Sequence, residues 1–324
     1  MKRSVEVALL FLCILGLAVS NLGAQQPYPN RPVTMTHAYA AAGGSDLVAR
    51  AIATVAPKYF PQPIIVQPKP GGAGLVALQA LASAKPDGHF FHFGRMGDMV
   101  NNAFIEKMPF DMEKDFIPVC GVGDDECIVL ASAKSGFKTI EEVIAAAKKE
   151  PGKLKSAVAG TTASGRLIFE AFANMLGLDI PIVPFKGESL SLIAAGGGHI
   201  PLTLSTTGGA IPYVERGDLV PLIMMGNRKV KEFPNVPLPS DKGWKFDMTA
   251  WYALFVYKGT PQPVITRLES LYKQISQDPD YIKAVNAIGC VPRFTPGKEF
   301  AEWLKGHRVE MGALIKKLGL SNIN

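Results

Sequence analysis

The chain has 324 residues, 48% of them apolar, which is enough to bury a large core and to form two domains. Its formal net charge is +6, and residues 1–24 hold two positive side chains and one negative one, so the remainder carries +5. The basic residues are spread along the chain without a run of five, which argues against a nucleic acid partner and suits a small anionic ligand.

The N-terminus is typical of a secretory signal peptide. Lys2 and Arg3 precede an apolar run from Val7 to Val19, and small or polar residues follow up to Ala24. The run is too short and wrongly flanked for a stable membrane span. We expect residues 1–24 to be removed and the mature protein to be soluble in the periplasm.

The rest of the chain alternates between short apolar runs and helical segments, which predicts an α/β protein with mostly parallel sheets flanked by helices. Nine runs are short and nearly continuous in apolar character, as buried strands are. The predicted strands are Val33 to Ala40, Pro63 to Gln67, His89 to Gly94, Cys127 to Ala131, Lys155 to Ala159, Ile180 to Val183, Ile200 to Ser205, Val220 to Met225 and Trp251 to Tyr257.

Helix starts are marked by their own residues. Thr139 and Glu142 have the spacing of a capping box and predict a helix that runs to Lys149. The pairs Thr260-Pro261 and Thr295-Pro296 predict the starts of two late helices.

No repeat or low-complexity linker divides the chain, so two domains must share several chain crossings. We place the first crossing near Gly121 to Asp125, where glycine and acidic residues interrupt the strands, and the return near Asp241 to Met248. The predicted domains are residues 25–123 plus 250–324, and residues 124–249.

Three cysteines remain beyond the leader: Cys120, Cys127 and Cys290. An oxidising compartment allows a bridge between Cys120 and Cys127. Three buried apolar thiols are the preferred interpretation, because cysteine is often buried without a chemical role. The spacing of cysteine and histidine indicates no metal site, and no cofactor is expected.

The candidate binding site lies at the carboxyl ends of the strands, where open parallel sheets place their ligands. Four such ends are rich in small polar residues, and the first closes a strand and opens a helix whose N-terminal N–H groups favour an anion. The candidate ligand-binding residues are Tyr39, Ala41, Gly43, Gly44, Ser45, Asp46, Arg95, Gly160, Thr161, Thr162, Ser164, Ser205, Thr206 and Thr207.

Each candidate has a structural alternative. Ser45, Asp46 and Ser164 can be helix caps, and the segment from Ser205 to Thr207 can be a polar turn. Arg95 can pair with Asp98 or lie on the surface. Tyr39 can be a wall of the site or part of the core.

Signals for catalysis are sparse. The chain has no GxSxG elbow, HExxH, Walker or GxGxxG motif. His89 and His92 are three apart on a predicted strand, so they cannot hold a metal together. An exported hydrolase that uses Ser164 as its nucleophile remains the alternative from a different class; the preferred interpretation is a binding protein, not an enzyme.

Several short motifs stand in order along nearly the whole mature chain. They are Ala42 to Arg50, Pro70 to Gly74, Ala84 to Gly88, Met108 to Asp111, Lys114 to Val119, Val183 to Gly187, Gly196-Gly197, Phe233 to Pro237, Trp251 and Gly259 to Pro261. In this order they resemble the solute receptors of tripartite tricarboxylate transporters, also called Bug receptors.

The resemblance implies a two-domain, Venus-flytrap receptor of the type II periplasmic-binding fold. Such receptors close on a small carboxylate and deliver it to membrane permease subunits, and a sensor protein is an alternative partner. The ligand loops of the family fall on the candidate residues named above. The chain departs from the family at Leu167, where a histidine is common, and at Pro201, where an acidic residue is common. A receptor for an aromatic acid or an amino acid therefore stays open.

Overall fold

The computed structural model describes residues 28–41, 43–159, 164–185 and 187–321. The predicted signal peptide lies outside the described residues. Within those ranges, no helix combines the length and the apolar character that crossing a membrane requires.

Eleven strands are present in the described part of the chain. They are β1 (Val33–His37), β2 (Ile64–Pro68), β3 (Phe90–Arg95), β4 (Phe116–Asp125), β5 (Cys127–Ser132), β6 (Ser156–Ala159), β7 (Ile182–Phe185), β8 (Leu202–Thr206), β9 (Leu219–Met224), β10 (Ala250–Tyr257) and β11 (Cys290–Pro296). The first sheet has the order β11-β4-β10-β3-β1-β2, and the second has the order β7-β6-β8-β5-β9.

The α-helices cover the sheets. They are α1 (Gly44–Val55), α2 (Leu75–Ser83), α3 (Asn102–Ile105), α4 (Ile140–Lys149), α5 (Ser164–Met175), α6 (Glu188–Gly196), α7 (Thr207–Glu215), α8 (Gln262–Ile275), α9 (Pro279–Asn286) and α10 (Gly297–Lys317). The predicted capping box is confirmed, since Thr139 accepts from the Glu142 N–H and the Glu142 side chain accepts from the Thr139 N–H. The late helices begin directly after Pro261 and Pro296.

The prediction of a two-domain α/β fold is confirmed, but each sheet is mixed rather than mostly parallel. In the first sheet β1 is parallel to β2 and β3, whereas β10 is antiparallel to β3 and β4, and β11 is antiparallel to β4. In the second, β6 is parallel to β7 and β8, and β5 is antiparallel to β8 and β9. All the antiparallel pairs involve strands next to a chain crossing between the sheets: β4 and β5, which are joined through Glu126 alone, and β10, which follows the return to the first sheet.

All nine predicted strands form, while β4 and β11 were not predicted. The expectation that Gly121 to Asp125 interrupt the strands is wrong, because these residues pair with β10 as part of β4. Glycine serves close packing here: a Cβ at Gly123 would lie 2.6 Å from the backbone oxygen of Val291 in β11. The proposed boundary at 123/124 falls inside β4, and the domain boundaries stay a prediction.

The three cysteines are buried and free. Cys120 packs in the apolar cluster around β1, β4 and β10, whereas Cys127 packs in a second cluster with the residues of α5. The two thiols therefore belong to different parts of the core, which agrees with the interpretation of buried apolar cysteines rather than with a bridge.

Candidate functional site

A cavity of about 90 Å³ lies between the two sheets. Its walls come from the carboxyl ends of β1 and β3 on one side and from β8 and the starts of α5 and α6 on the other. Five predicted site residues line it together: Tyr39, Arg95, Ser164, Ser205 and Thr206. The remaining lining residues are Cys127, Ala159, Gly165, Glu188, Leu204 and Ala250.

Asp98 holds the first wall in place. Its Oδ1 accepts hydrogen bonds from Tyr39 Oη and from the backbone N–H of Arg95, both at 3.0 Å, and its Oδ2 lies 2.6 Å from His92 Nε2. Asp98 and His92 are both almost completely buried. These bonds fix Tyr39 beside the end of β3, so Tyr39 is a wall of the cavity.

The Arg95 guanidinium pairs with Asp125. It does not pair with Asp98, which was the partner in one of the predicted alternatives. Its Nη2 donates to Asp125 Oδ2 at 2.7 Å, and the same oxygen accepts a short hydrogen bond from Tyr252 Oη. The guanidinium also lies 5.0 Å from the ring centroid of Tyr252. Burial raises the pKa of Asp125 to about 6, although Arg95 favours the ionised carboxylate.

Arg95 has a buried donor that the pair with Asp125 does not use. Its Nε is buried and has no hydrogen-bond partner among the described residues. Because the side chain lines the cavity, this N–H can serve a ligand oxygen without disturbing the pair with Asp125.

The N-terminus of α1 carries no side-chain cap. The N-cap residue is Gly43, which makes no side-chain cap bond, and Ser45 Oγ is buried without a partner in the described structure. Gly44 adjoins the Arg95 cluster, since a Cβ there would lie 3.6 Å from Tyr252 Oη. Ala41 and Gly43 are exposed on the loop that precedes the helix.

Asp46 does not line the cavity. Its carboxylate lies 3.0 Å from His37 Nε2 and accepts from Arg50 Nε at 2.7 Å, while the side chain is 2% exposed. Burial lowers the pKa of His37, although Asp46 opposes this effect. Neither Ser45 nor Asp46 is the N-cap residue, because the helix begins one residue before Ser45.

The second wall is organised around a glutamate. Glu188 Oε1 accepts from Ser205 Oγ at 2.7 Å and from the backbone N–H of Thr206 at 2.5 Å. Thr206 is the N-cap of α7 and accepts from the Gly209 N–H through its side chain. Thr207 is fully buried and donates to the Gly289 carbonyl at 3.3 Å, so it links α7 to the segment before β11.

Gly160, Thr161 and Thr162 lie outside the described residues. Ser164 is the buried first residue of α5 and lines the cavity. Glu188 and Asp125 were missed by the sequence reasoning. Glu188 follows the parallel strand β7, so the rule that selected the other loops could have found it. Asp125 was hidden because β4 was taken for a domain crossing.

A larger cavity of about 140 Å³ is lined by Trp251, Arg293 and Trp303, among others. All of its residues belong to β4, β10, β11 and α10, on the first sheet alone. This larger cavity touches only the first sheet, whereas the smaller one is lined by residues of both sheets. We therefore assign the ligand site to the cavity between the sheets. No cluster of three or more metal-ligating side chains occurs in the described ranges.

The chain is similar to known solute receptors over nearly its full length. A sequence model of the family described as "Tripartite tricarboxylate transporter family receptor" matches residues 48–320. A protein of Cupriavidus necator, named UPF0065 protein in gbd 5'region, is 30% identical over 308 residues, which cover 95% of this chain and 94% of that protein.

Two solved structures share the fold. The R. palustris protein Rpa4515, solved with adipate, has a TM-score of 0.81 at 22% identity and covers 90% of this chain and 98% of its own. The structure of the periplasmic binding protein BugD has a TM-score of 0.79 at 24% identity, and the match covers 91% of this chain and 99% of BugD. Since the family model matches most of the sequence, the chain belongs to the tripartite tricarboxylate transporter receptor family, whose members are periplasmic solute receptors.

Proposed function

We propose that this protein captures a small organic carboxylate in the cavity between its two sheets and delivers it to membrane permease subunits of the tripartite tricarboxylate type. The observation that carries this proposal is the cavity itself, which brings together Tyr39, Arg95 and Ser164 from separate segments of the chain. In this proposal the protein acts as a receptor and not as an enzyme, after removal of residues 1–24 in the periplasm.

The first wall supports an anionic ligand. Arg95 Nε is a charged donor without a described partner, and the uncapped N-terminus of α1 adjoins the same cluster. A carboxylate that leaves water needs several such donors, because each charge-assisted bond contributes about 1.5 to 3 kcal/mol against desolvation. The adipate in the structure of Rpa4515 belongs to the same chemical class.

Closure of two domains would complete the site. We propose that residues 25–123 plus 250–324 move as one domain and residues 124–249 as the other, with the crossing at Glu126 as one of the hinges. Ligand held by Arg95 would then be covered by hydroxyl groups of the second wall, and the permease or a sensor protein would recognise the closed form.

Thermal unfolding tests the ligand class. The mature protein is unfolded, freed of carried-over ligand and refolded, and its melting temperature is measured with dicarboxylic, tricarboxylic and aromatic acids, amino acids and sugars. A ligand that binds only the folded state raises the melting temperature. We expect a rise confined to carboxylate-bearing compounds; a rise with sugars alone would refute the proposal.

A pair of substitutions tests the site. Replacing both Thr161 and Ser164 by alanine should weaken binding of the compound found in the screen by about tenfold or more, since hydrogen bonds to a charged group are lost. The melting temperature without ligand should stay close to that of the wild type. Ser240→Ala, at an exposed serine away from the cavity, is the control. Unchanged affinity in the double variant would remove these residues from the site.

A further inference from the structure

The second wall of the cavity already holds a carboxylate of its own. Glu188 Oε1 takes the hydroxyl of Ser205 and the backbone N–H of Thr206, two donors that were predicted to bind the ligand. Glu188 also lies against the first turn of α7, because a Cβ at Gly209 would be 3.0 Å from Glu188 Cδ. An incoming carboxylate would have to evict Glu188 to reach these donors.

The described charges around the cavity do not favour a second ligand carboxylate at this wall. Arg95 is the cation among the lining residues that the structure describes, and Asp125 already pairs with it at 2.7 Å. Arg95 and Asp125 together carry no net charge, so Glu188 leaves the described group at −1. A ligand with a carboxylate at each end would meet donors at Arg95 and like charge at Glu188.

Glu188 keeps the capacity to accept further hydrogen bonds. Both of its described bonds use Oε1, and a carboxylate has about four acceptor positions on its two oxygens. The side chain lines the cavity and is half-buried, so a ligand donor can reach it. A protonated nitrogen is the group that satisfies such a carboxylate most strongly.

We propose that the ligand of this receptor is a zwitterion of the amino-acid class. Its carboxylate binds at Arg95 Nε, and its ammonium group binds at Glu188. The inference rests on the proposed function, and it makes Glu188 the residue that selects amino acids over simple carboxylic acids.

Matched ligand pairs that differ only in the amino group test the inference. Calorimetric titration compares aspartate with succinate, glutamate with glutarate, 4-aminobutyrate with butyrate, and phenylalanine with 3-phenylpropanoate, on ligand-free wild type and Glu188→Gln. We expect the wild type to bind one of the amino acids at least 100-fold more tightly than its partner without nitrogen. Glu188→Gln should lose most of this preference.

Two controls keep the test decisive. Glu232→Gln, at an exposed glutamate outside the cavity, should bind like the wild type. Glu188→Asp keeps the negative charge and should retain part of the preference for amino acids. It therefore distinguishes the loss of the charge from a general disturbance of the site by substitution at this position. The melting temperature of each variant without ligand is measured alongside.

The outcomes separate the two proposals. Wild-type binding of a plain acid as tightly as its amino counterpart would overturn the zwitterion inference and leave the carboxylate receptor standing. A second outcome would also overturn the inference: Glu188→Gln binds plain acids more tightly than the wild type does, and neither protein binds an amino acid. Glu188 would then be a residue that occupies the ligand's donors until the ligand displaces it. Failure of every carboxylate to bind the wild type would refute the proposed function itself.

Discussion

Replacing Glu126 by glutamine should stabilise the protein at alkaline pH and change little at pH 5. Glu126 is the residue between β4 and β5, it is fully buried, and neither carboxylate oxygen has a hydrogen-bond partner within the described structure. Burial raises its pKa from 4.5 to about 7, and although Arg228 opposes this effect, Asp124 and Asp247 add to it.

The sign follows from proton binding. Below pH 4.5 the carboxyl group is protonated in both the folded and the unfolded chain. Between pH 4.5 and 7 the folded state holds a proton that the unfolded chain has lost, so the free energy of unfolding falls as pH rises, and it levels off above the folded pKa of about 7. At about 1.4 kcal/mol for each pKa unit, ionising Glu126 in the folded protein costs about 3 kcal/mol.

Glutamine has the same shape and no charge, so the variant lacks this loss. Urea unfolding of both proteins at pH 5 and pH 8 gives the free energies of unfolding. The advantage of Glu126→Gln should be larger at pH 8 than at pH 5 by about 2.5 kcal/mol. Asp125 also has a raised pKa, but it is present in both proteins and largely cancels in the comparison.

The control is Glu302→Gln, since Glu302 is exposed on α10 and should show no such pH dependence. An equal advantage of Glu126→Gln at both pH values would mean that the Glu126 carboxylate is solvated in the folded protein. The reasoning from burial would then be refuted.

Two further predictions concern stability. Thr139→Ala removes the side chain that accepts from the Glu142 N–H and should lower the free energy of unfolding by about 1 kcal/mol in urea unfolding at pH 7; no loss would mean that the capping box does not form in solution. Gly123→Ala should cost about 1 to 3 kcal/mol, because the new methyl group meets the Val291 carbonyl, whereas Gly306→Ala on α10 meets nothing within 4 Å and should be neutral or stabilising. Equal effects of the two glycine substitutions on the melting temperature would contradict the close packing of β4 and β11.

The parts of the fold that depend on local patterns were predictable. Nine strands were predicted because each is a short apolar run bounded by polar residues. Helix α4 was predicted because the residues that cap its start and those that end it are its immediate neighbours in the sequence. β4 was missed because Gly121 and Gly123 suggest a break, and only the contacts from β11 and α10 explain why a side chain is excluded there. β11 was missed because its residues are half-buried and contain two prolines, as an edge strand allows.

The candidate site divides in the same way. The rule that ligands bind at strand ends brought Tyr39, Arg95 and Ser205 to one cavity. The rule gives no information about which charges are already paired. The sequence suggested Asp98 as a possible partner of Arg95, whereas the actual partner, Asp125, lies on a strand that was not predicted.

Three consecutive acidic residues at the crossing show why charge cannot be assigned by counting. Successive side chains of a strand point to opposite faces, so Asp124 and Asp125 have different surroundings. Asp124 lies 3.0 Å from Arg228, which follows β9 of the second sheet, and 3.6 Å from Arg293 on β11, whereas Asp125 pairs with Arg95 at 2.7 Å. Glu126 has no described partner and is fully buried. Asp124 pairs with arginines near both sheets, and Asp125 neutralises the Arg95 cation of the cavity. Burial favours the neutral form of Glu126. The three residues contribute −3 in the sequence, but each has a different electrostatic role in the fold.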